Sequence, residues 1–286
     1  MGLSYSIYWC RDIGKCREKL IIAANEQNEN LLFMRRFIRF LVRNIPRPVL
    51  IRFSYAFAGI ISLFYRGNKH ACPICGGSFR KMLPYGNQGA ENRLCPKCLS
   101  LERHRMLWLY ISRHTQLLQS ETRILHIAPE QSLRRILKKT HGASYVTADL
   151  KSPIADLHFD VMHIPLPDNS YDVILCNHVL EHVENDITAM KELYRILIPG
   201  GWAVMQVPIN PNLETTYEDF SITSPAEREK VFGQYDHVRW HGRDYPDRLR
   251  MAGFVVEEFD PLRFYSTDEM DYFRIDVNEK MFIARK

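Results

Sequence analysis

The chain has 286 residues, 46% hydrophobic and 25% charged, which supports a real apolar core and excludes general disorder. The net charge is +5, but residues 1–70 hold twelve Lys or Arg against four Asp or Glu, leaving +8 there and −3 on the remainder. Basic character confined to one end points to an anionic partner for that end and says little about the rest. The opening MGLSYSIYWCRDIGK has no basic stretch followed by an apolar core, so it does not read as a cleavable secretion signal.

In chain order, residues 1–33 are weakly patterned, and Met34 is an alternative start to Met1. From 34 to 70 there are eight Lys or Arg and no Asp or Glu. Arg35, Arg36, Arg39 and Arg43 recur at helical spacing among Phe37, Ile38, Leu41 and Val42, which predicts a basic amphipathic helix ended by Pro46 and Pro48. The uncharged run from Phe53 to Tyr65 has 13 residues, short of the roughly 20 needed to span a bilayer. Residues 34–66 therefore read either as a helix pair lying on a membrane surface or as a helical cap with its arginines in solvent. The expected location is cytoplasmic, with contact at the inner face of the cell membrane under the first reading.

Seven cysteines include two C-P-x-C knuckles, Cys72 with Cys75 and Cys95 with Cys98, separated by 19 residues. An odd total with this pairing argues for metal ligation in a reducing compartment over a disulfide framework. Four thiolates make a closed tetrahedral site, which suits structural Zn2+ and leaves no position for substrate. The basic run Leu101–Arg105 follows directly, and its expected role is packing or contact with an anionic partner. Glu102 to His114 reads as a linking helix. The domain reading is a basic helical segment over 1–70, a zinc-ribbon-like module with its helix over 71–115, and an α/β domain over 116–286.

Beyond Arg123, short apolar runs alternate with helical patterns. Strands are predicted at Arg123–Ile127, Tyr145–Ala148, Tyr171–Asn177, Trp202–Val207, Phe254–Phe259 and Lys280–Ala284, and helices at Gln131–Lys139, Ile187–Leu197 and Arg243–Ala252. This order predicts a parallel sheet covered on both faces. Asn210 to Tyr235 reads as a long irregular loop, a length typical of functional lids.

Ligands of such a sheet bind at the carboxyl ends of the strands, beside the point where strand order reverses. The chain offers Ala128-Pro129-Glu130 after the first strand, Asp149 at the end of the second, and Asp160-Val161-Met162 further on. An ionised Asp149 accepts from both hydroxyls of a ribose. Asp160 would accept from an adenine amino group with Met162 packed on the ring, unless it is an ordinary loop carboxylate.

The segments LPDNSYDVILCNHVLEHV and ELYRILIPGGWAVMQVP, within residues 120–285, resemble the type 11 family of class I S-adenosylmethionine-dependent methyltransferases. CPKCLSLERHR with ILHIAPE resembles a bacterial subgroup carrying an N-terminal four-cysteine zinc knuckle. The resemblance implies a Rossmann-like, seven-stranded α/β fold with a terminal antiparallel hairpin, and S-adenosylmethionine as methyl donor. It also implies that Asn177 and His178 line the cofactor pocket. One departure matters: the family's first loop is usually glycine-rich, whereas His126-Ile-Ala-Pro-Glu130 has no glycine. Ala128 does not take positive φ cheaply and Pro129 lacks a donor, so Glu130 is the candidate for the cofactor's ammonium.

On the acceptor side, Tyr235 and Arg239 are substrate candidates, and His237 and His182 are candidate bases. Asp172 reads as structural, Glu181 and His182 as a helix start, and Gly200-Gly201 as a helix-to-strand turn. Three functions follow: a methyltransferase for a small-molecule or lipid acceptor, an RNA methyltransferase gripping phosphates with the zinc module and basic arm, and a non-catalytic protein with a disabled cofactor pocket.

Overall fold

The computed structural model describes residues 47–85, 90–119 and 121–286. The basic helix expected over 34–46 and the choice of start lie outside these residues. The elements in chain order are helix α1 (Arg47–Phe64), strands β1 (Arg66–Ala71), β2 (Ser78–Phe79), β3 (Leu83–Tyr85) and β4 (Ala90–Leu94), then helix α2 (Glu102–His114). There follow β5 (Ile124–Ile127), α3 (Gln131–His141), β6 (Tyr145–Ala148), β7 (Tyr171–Cys176), α4 (Asp186–Ile196) and β8 (Leu197–Val204). The last elements are β9 (Tyr217–Glu218), α5 (Pro225–Phe232), β10 (Arg239–Trp240), α6 (Tyr245–Met251), β11 (Val255–Phe259), α7 (Thr267–Phe273) and β12 (Met281–Arg285).

Helix α1 takes Pro48 into its first turn, where a fixed φ and a missing N–H cost nothing. Its second half exposes Phe57, Ile60, Leu63 and Phe64. No helix among the described residues is long and apolar enough to cross a membrane.

The central sheet has the order β11-β12-β8-β7-β5-β6. Strands β6, β5, β7 and β8 run parallel, and β12 is antiparallel to both β8 and β11. Alternate residues of each strand feed two apolar layers, which is why the strands read as continuous apolar runs. Ile124, Val173 and Leu175 face Leu107, Ile111 and Leu133 on one side. Leu125, Ile174 and Cys176 face Met190, Leu193 and Leu249 on the other. Cys72, Cys95 and Cys98 belong to the first of these layers, so the cysteine module shares a core with the sheet.

Three expectations change. The sheet has six strands among the described residues, not seven. Beyond β6 only Leu157 pairs, as a single bridge to Ala148. The neighbouring Asp156 turns its carboxylate onto the N–H and hydroxyl of Thr147, which stops a ladder from forming. Second, β8 starts at Leu197, not Trp202, and Gly200-Gly201 forms a bulge inside it. Tyr171 pairs with Leu197 and Val173 with Trp202, so the β8 side carries the extra residues. Gly200 has φ +80°, and a Cβ on Gly201 would meet the Asp172 carbonyl at 2.9 Å, so both positions need glycine. Third, the stretch Asn210–Tyr235 is not wholly irregular. It contains β9 and α5, the latter started by Ser224-Pro225 and stopped by Gly233 at φ +80°.

Arg105 joins the cysteine module to the far end of the chain. It is fully buried, and its guanidinium donates to the carbonyls of Ser100 (2.7 Å), Arg93 (3.1 Å), Phe273 (2.9 Å) and Arg274 (2.7 Å). Of the two roles expected for the run after the second knuckle, this residue takes the packing one.

Candidate functional site

The two knuckles are built alike. Gly76 N–H donates to Cys72 O and Leu99 N–H to Cys95 O, so each second cysteine is followed by a tight reversal. Gly76 and Leu99 occupy the equivalent position at φ +66° and +57°. Glycine takes that conformation freely, and the leucine takes it at a cost of order 1 kcal/mol. One sulfur from each of Cys72, Cys75, Cys95 and Cys98 lies within 4.8 Å of the others. Cys72 and Cys98 approach to 3.5 Å, and Cys75 and Cys95 to 3.7 Å. Sulfurs held at about 2.3 Å around a tetrahedral ion stand ~3.8 Å apart, so the donor set and spacing fit zinc.

The second site lies where the chain leaves β5 for β6 on one side and later enters β7 on the other. In open α/β sheets ligands bind beside such a reversal, which here lies at the carboxyl ends of β5 and β7. Ala128 follows β5 at φ +47°, so the first loop adopts a left-handed turn without glycine. The strain is held by its N–H, which donates to Ala148 O at 2.8 Å. Pro129 then leads to Glu130 at the start of α3.

Glu130 is gripped from two sides. His126 Nε2 lies 2.6 Å from Oε2, and Asn177 Nδ2 donates to Oε1 at 3.2 Å. His126 is itself oriented by Tyr145 Oη at 2.8 Å from Nδ1. Burial raises the Glu130 pKa, but the charge and hydrogen bond of His126, with His104 beyond, outweigh it and hold the carboxyl well below its usual range. A fixed anion therefore stands at this strand end. His126 was missed by sequence reasoning, although its place four residues before Glu130 was a usable signal.

At the end of β6, Asp149 Oδ1 accepts from the N–H groups of Lys151 and Ser152, and Oδ2 accepts no hydrogen bond among the described residues. Asp160 closes a similar turn onto Met162 N–H, with Val161 buried and Met162 half-buried beside it. Asn177 Oδ1 accepts from Gln206 N–H, and His178 follows at φ +53° with Nδ1 3.1 Å from Glu181 Oε1. The strand-end candidates thus sit at the carboxyl ends of β5, β6 and β7 and in the turn beyond.

Residues 113–205 match the family model described as a methyltransferase domain. The matched stretch runs through β5 to β8 and stops short of the last strands. A demethylmenaquinone methyltransferase of Geobacillus kaustophilus is 30% identical over 121 residues, covering 38% of this chain and 52% of that protein. One from Staphylococcus epidermidis is 28% identical over 119 residues, covering 39% and 48%. The chain thus spans about half the length of the curated relatives it matches. Among solved structures, an S-adenosylmethionine-dependent methyltransferase from Mesorhizobium loti is 19% identical with a TM-score of 0.42, covering 63% of this chain and 97% of that one. The [4+2]-cyclase SpnF is 14% identical with a TM-score of 0.44, covering 82% and 95%.

The acceptor-side candidates separate. Glu181 and His182 are not at a helix start, because α4 begins only at Asp186 with Asn185 as its cap. They lie in the turn between β7 and α4. The His182 and His237 rings meet edge to face with centroids 4.8 Å apart. Tyr235 is exposed. Arg239 is fully buried, and its guanidinium goes to the carbonyls of Leu180, Val183 and Glu184 and to Glu218 Oε2. These bonds make Arg239 a brace between two loops and turn it away from the substrate role expected of it. Asp172, as expected, is structural: it takes the Arg123 N–H at 2.8 Å and its guanidinium at 2.9 Å.

Two buried histidines make stability depend on pH. Burial pushes His104 down to about 4 and His241 down to about 3. Both folded values lie below the unfolded value of 6.5, so the unfolded chain takes up protons first as pH falls. Stability is whole above about pH 6.5 and is lost on the way down toward the folded values, by about 2 kcal/mol per histidine between pH 7 and 5. Denaturant midpoints at the two pH values measure this, and His241→Phe is expected to remove its share. An unchanged pH dependence in that variant would contradict the assignment.

Proposed function

We propose that the chain is an S-adenosylmethionine-dependent methyltransferase acting on a small-molecule or lipid acceptor, with a structural zinc in the four-cysteine site. The observation that carries it is the set of polar groups at the carboxyl ends of adjacent strands: Glu130 tied to Asn177, with Asp149 and Asp160 beyond, in the segment that matches the family. The acceptor class follows the relatives, which are named for demethylmenaquinone. When bound, S-adenosylmethionine supplies the methyl group.

The chain's own residues then have defined work. Ala128 and Pro129 shape the turn, and Glu130 holds the ammonium of the methionine end. The unused Oδ2 of Asp149 takes a ribose hydroxyl. Asp160, Val161 and Met162 bind the adenine, and Asn177 and His178 wall the pocket. Methyl transfer is an in-line displacement, so alignment and exclusion of water supply most of the rate, and no protein nucleophile is needed. His182 and His237 act on the proton-bearing atom of the acceptor, with Tyr235 at the rim. Contact of residues 34–66 with a membrane surface belongs to the same reading. The exposed Phe57, Ile60, Leu63 and Phe64 support it, and vesicle co-sedimentation reads it directly.

Calorimetric titration with S-adenosylmethionine tests the proposal. Asp149→Ala and Glu130→Gln are each expected to weaken binding on the order of 10- to 100-fold, the worth of a charge-assisted hydrogen bond. Absence of binding by the wild type would overturn the cofactor reading, and equal affinity in a variant would remove that residue's role.

A further inference from the structure

Glu181, His182 and His237 each offer one ligand atom within 4.8 Å of the other two. Glu181 is 1% exposed. Its Oε1 meets His178, but its Oε2 is buried with no hydrogen-bond partner among the described residues. A carboxylate oxygen left that way is costly unless a cation completes it. Each imidazole keeps one ring nitrogen available to such a cation. His182 Nδ1 lies 3.2 Å from Asp236 O, and His237 Nδ1 lies 3.2 Å from Phe232 O. A carbonyl only accepts, so each Nδ1 carries the proton and each Nε2 keeps its lone pair. That is the tautomer in which histidine binds a metal, fixed by the outer hydrogen bond.

The two loops that carry these groups are locked together independently of any ion. Val238 N–H donates to Glu181 O at 3.0 Å, and Arg239 binds the carbonyls of Leu180, Val183 and Glu184. The three ligands are therefore held in place before a cation arrives.

We infer that Glu181, His182 and His237 form a second metal site, for a first-row divalent transition cation with open coordination positions. Two imidazoles and one carboxylate suit Zn2+ or Fe2+, whereas Mg2+ and Ca2+ prefer oxygen ligands throughout. His182, with its side chain 31% exposed, marks the open side. Binding of the ion stands on this geometry alone. With both Nε2 atoms on the ion, His182 and His237 no longer take a proton themselves; that the open position receives the acceptor's oxygen in place of that direct proton removal rests on the methyltransferase reading.

The test uses the full chain with its cysteine site filled by one equivalent of Zn2+, titrated with Co2+ and followed by calorimetry and visible absorption. One further equivalent is expected, without the intense thiolate-to-cobalt charge-transfer bands of a sulfur site. Glu181→Gln and His182→Ala are expected to weaken it by more than about 100-fold, since even outer-shell partners of a metal are worth roughly 10- to 100-fold. His182 is half-exposed, so its variant keeps the fold, which a thermal melt checks. No further equivalent, or one bound equally well by folded variants, overturns the inference. Parallel titration with S-adenosylmethionine keeps the two readings apart. Cofactor binding without the second metal sinks only this site, and metal binding without cofactor sinks only the methyltransferase reading.

Discussion

Stripping metal from the four-cysteine site is expected to unfold the segment from β1 through β4 and to lower the stability of the whole domain by several kcal/mol. The cause is where the cysteines lie. Cys72 and Cys95 are wholly buried and share an apolar layer with Leu107, Ile111 and Ile124. Strands β1 to β4 are short pairs of two to six residues and bury little on their own. A structural zinc contributes on the order of 10 kcal/mol to such modules, comparable with the whole stability of a typical domain. The damage should spread, because Arg105 ties the Ser100 carbonyl beside the second knuckle to the carbonyls of Phe273 and Arg274 at the end of α7. Thermal melts with and without chelator under reducing conditions, with zinc content measured in parallel, check this. Cys72→Ser should mimic chelation. A protein that contains no zinc, or a melting temperature that chelation does not move, would contradict the assignment.

Arg239→Lys is expected to be nearly as damaging, although it preserves the charge. Lysine cannot reproduce a planar fork that reaches three carbonyls and a carboxylate at once. The substitution leaves carbonyls of Leu180, Val183 and Glu184 without donors in a buried place. Losing partners around a buried charge costs about 3–5 kcal/mol. The two loops it braces hold Glu181, His182 and His237, so second-metal affinity should drop with stability. Denaturant unfolding and the Co2+ titration read the two effects. If Arg239 instead touched substrate, stability would be unchanged and only the Michaelis constant would rise.

How much was legible follows from which interactions are local. Strands β5, β6 and β7 were visible because burial on both faces writes a continuous apolar run into the sequence. The cysteine knuckles were visible because ligand spacing is a local constraint. The bulge at Gly200-Gly201 was misplaced as a turn, because only pairing with Tyr171 and Val173 defines it as strand. The φ of Ala128 was unreadable from residue type, since its strain is held by a hydrogen bond to the neighbouring strand. Arg239 read as a substrate candidate because nothing in its neighbourhood announces the carbonyls of 180–184. Glu181 looked like a helix-start carboxylate for the same reason. Its tie to His182 and His237 depends on a loop more than fifty residues away.

The Arg105 staple also sets an order in time. Its partners Phe273 and Arg274 lie 168 and 169 residues downstream. Contacts of that span close late, because the intervening chain must first be ordered. During synthesis the cysteine knuckles emerge well before α7 exists, and at about 5–20 residues per second that interval lasts roughly ten to thirty seconds. Throughout it the four thiols lack their final cover. Early capture of zinc would then protect the nascent knuckles from oxidation until the staple closes over them.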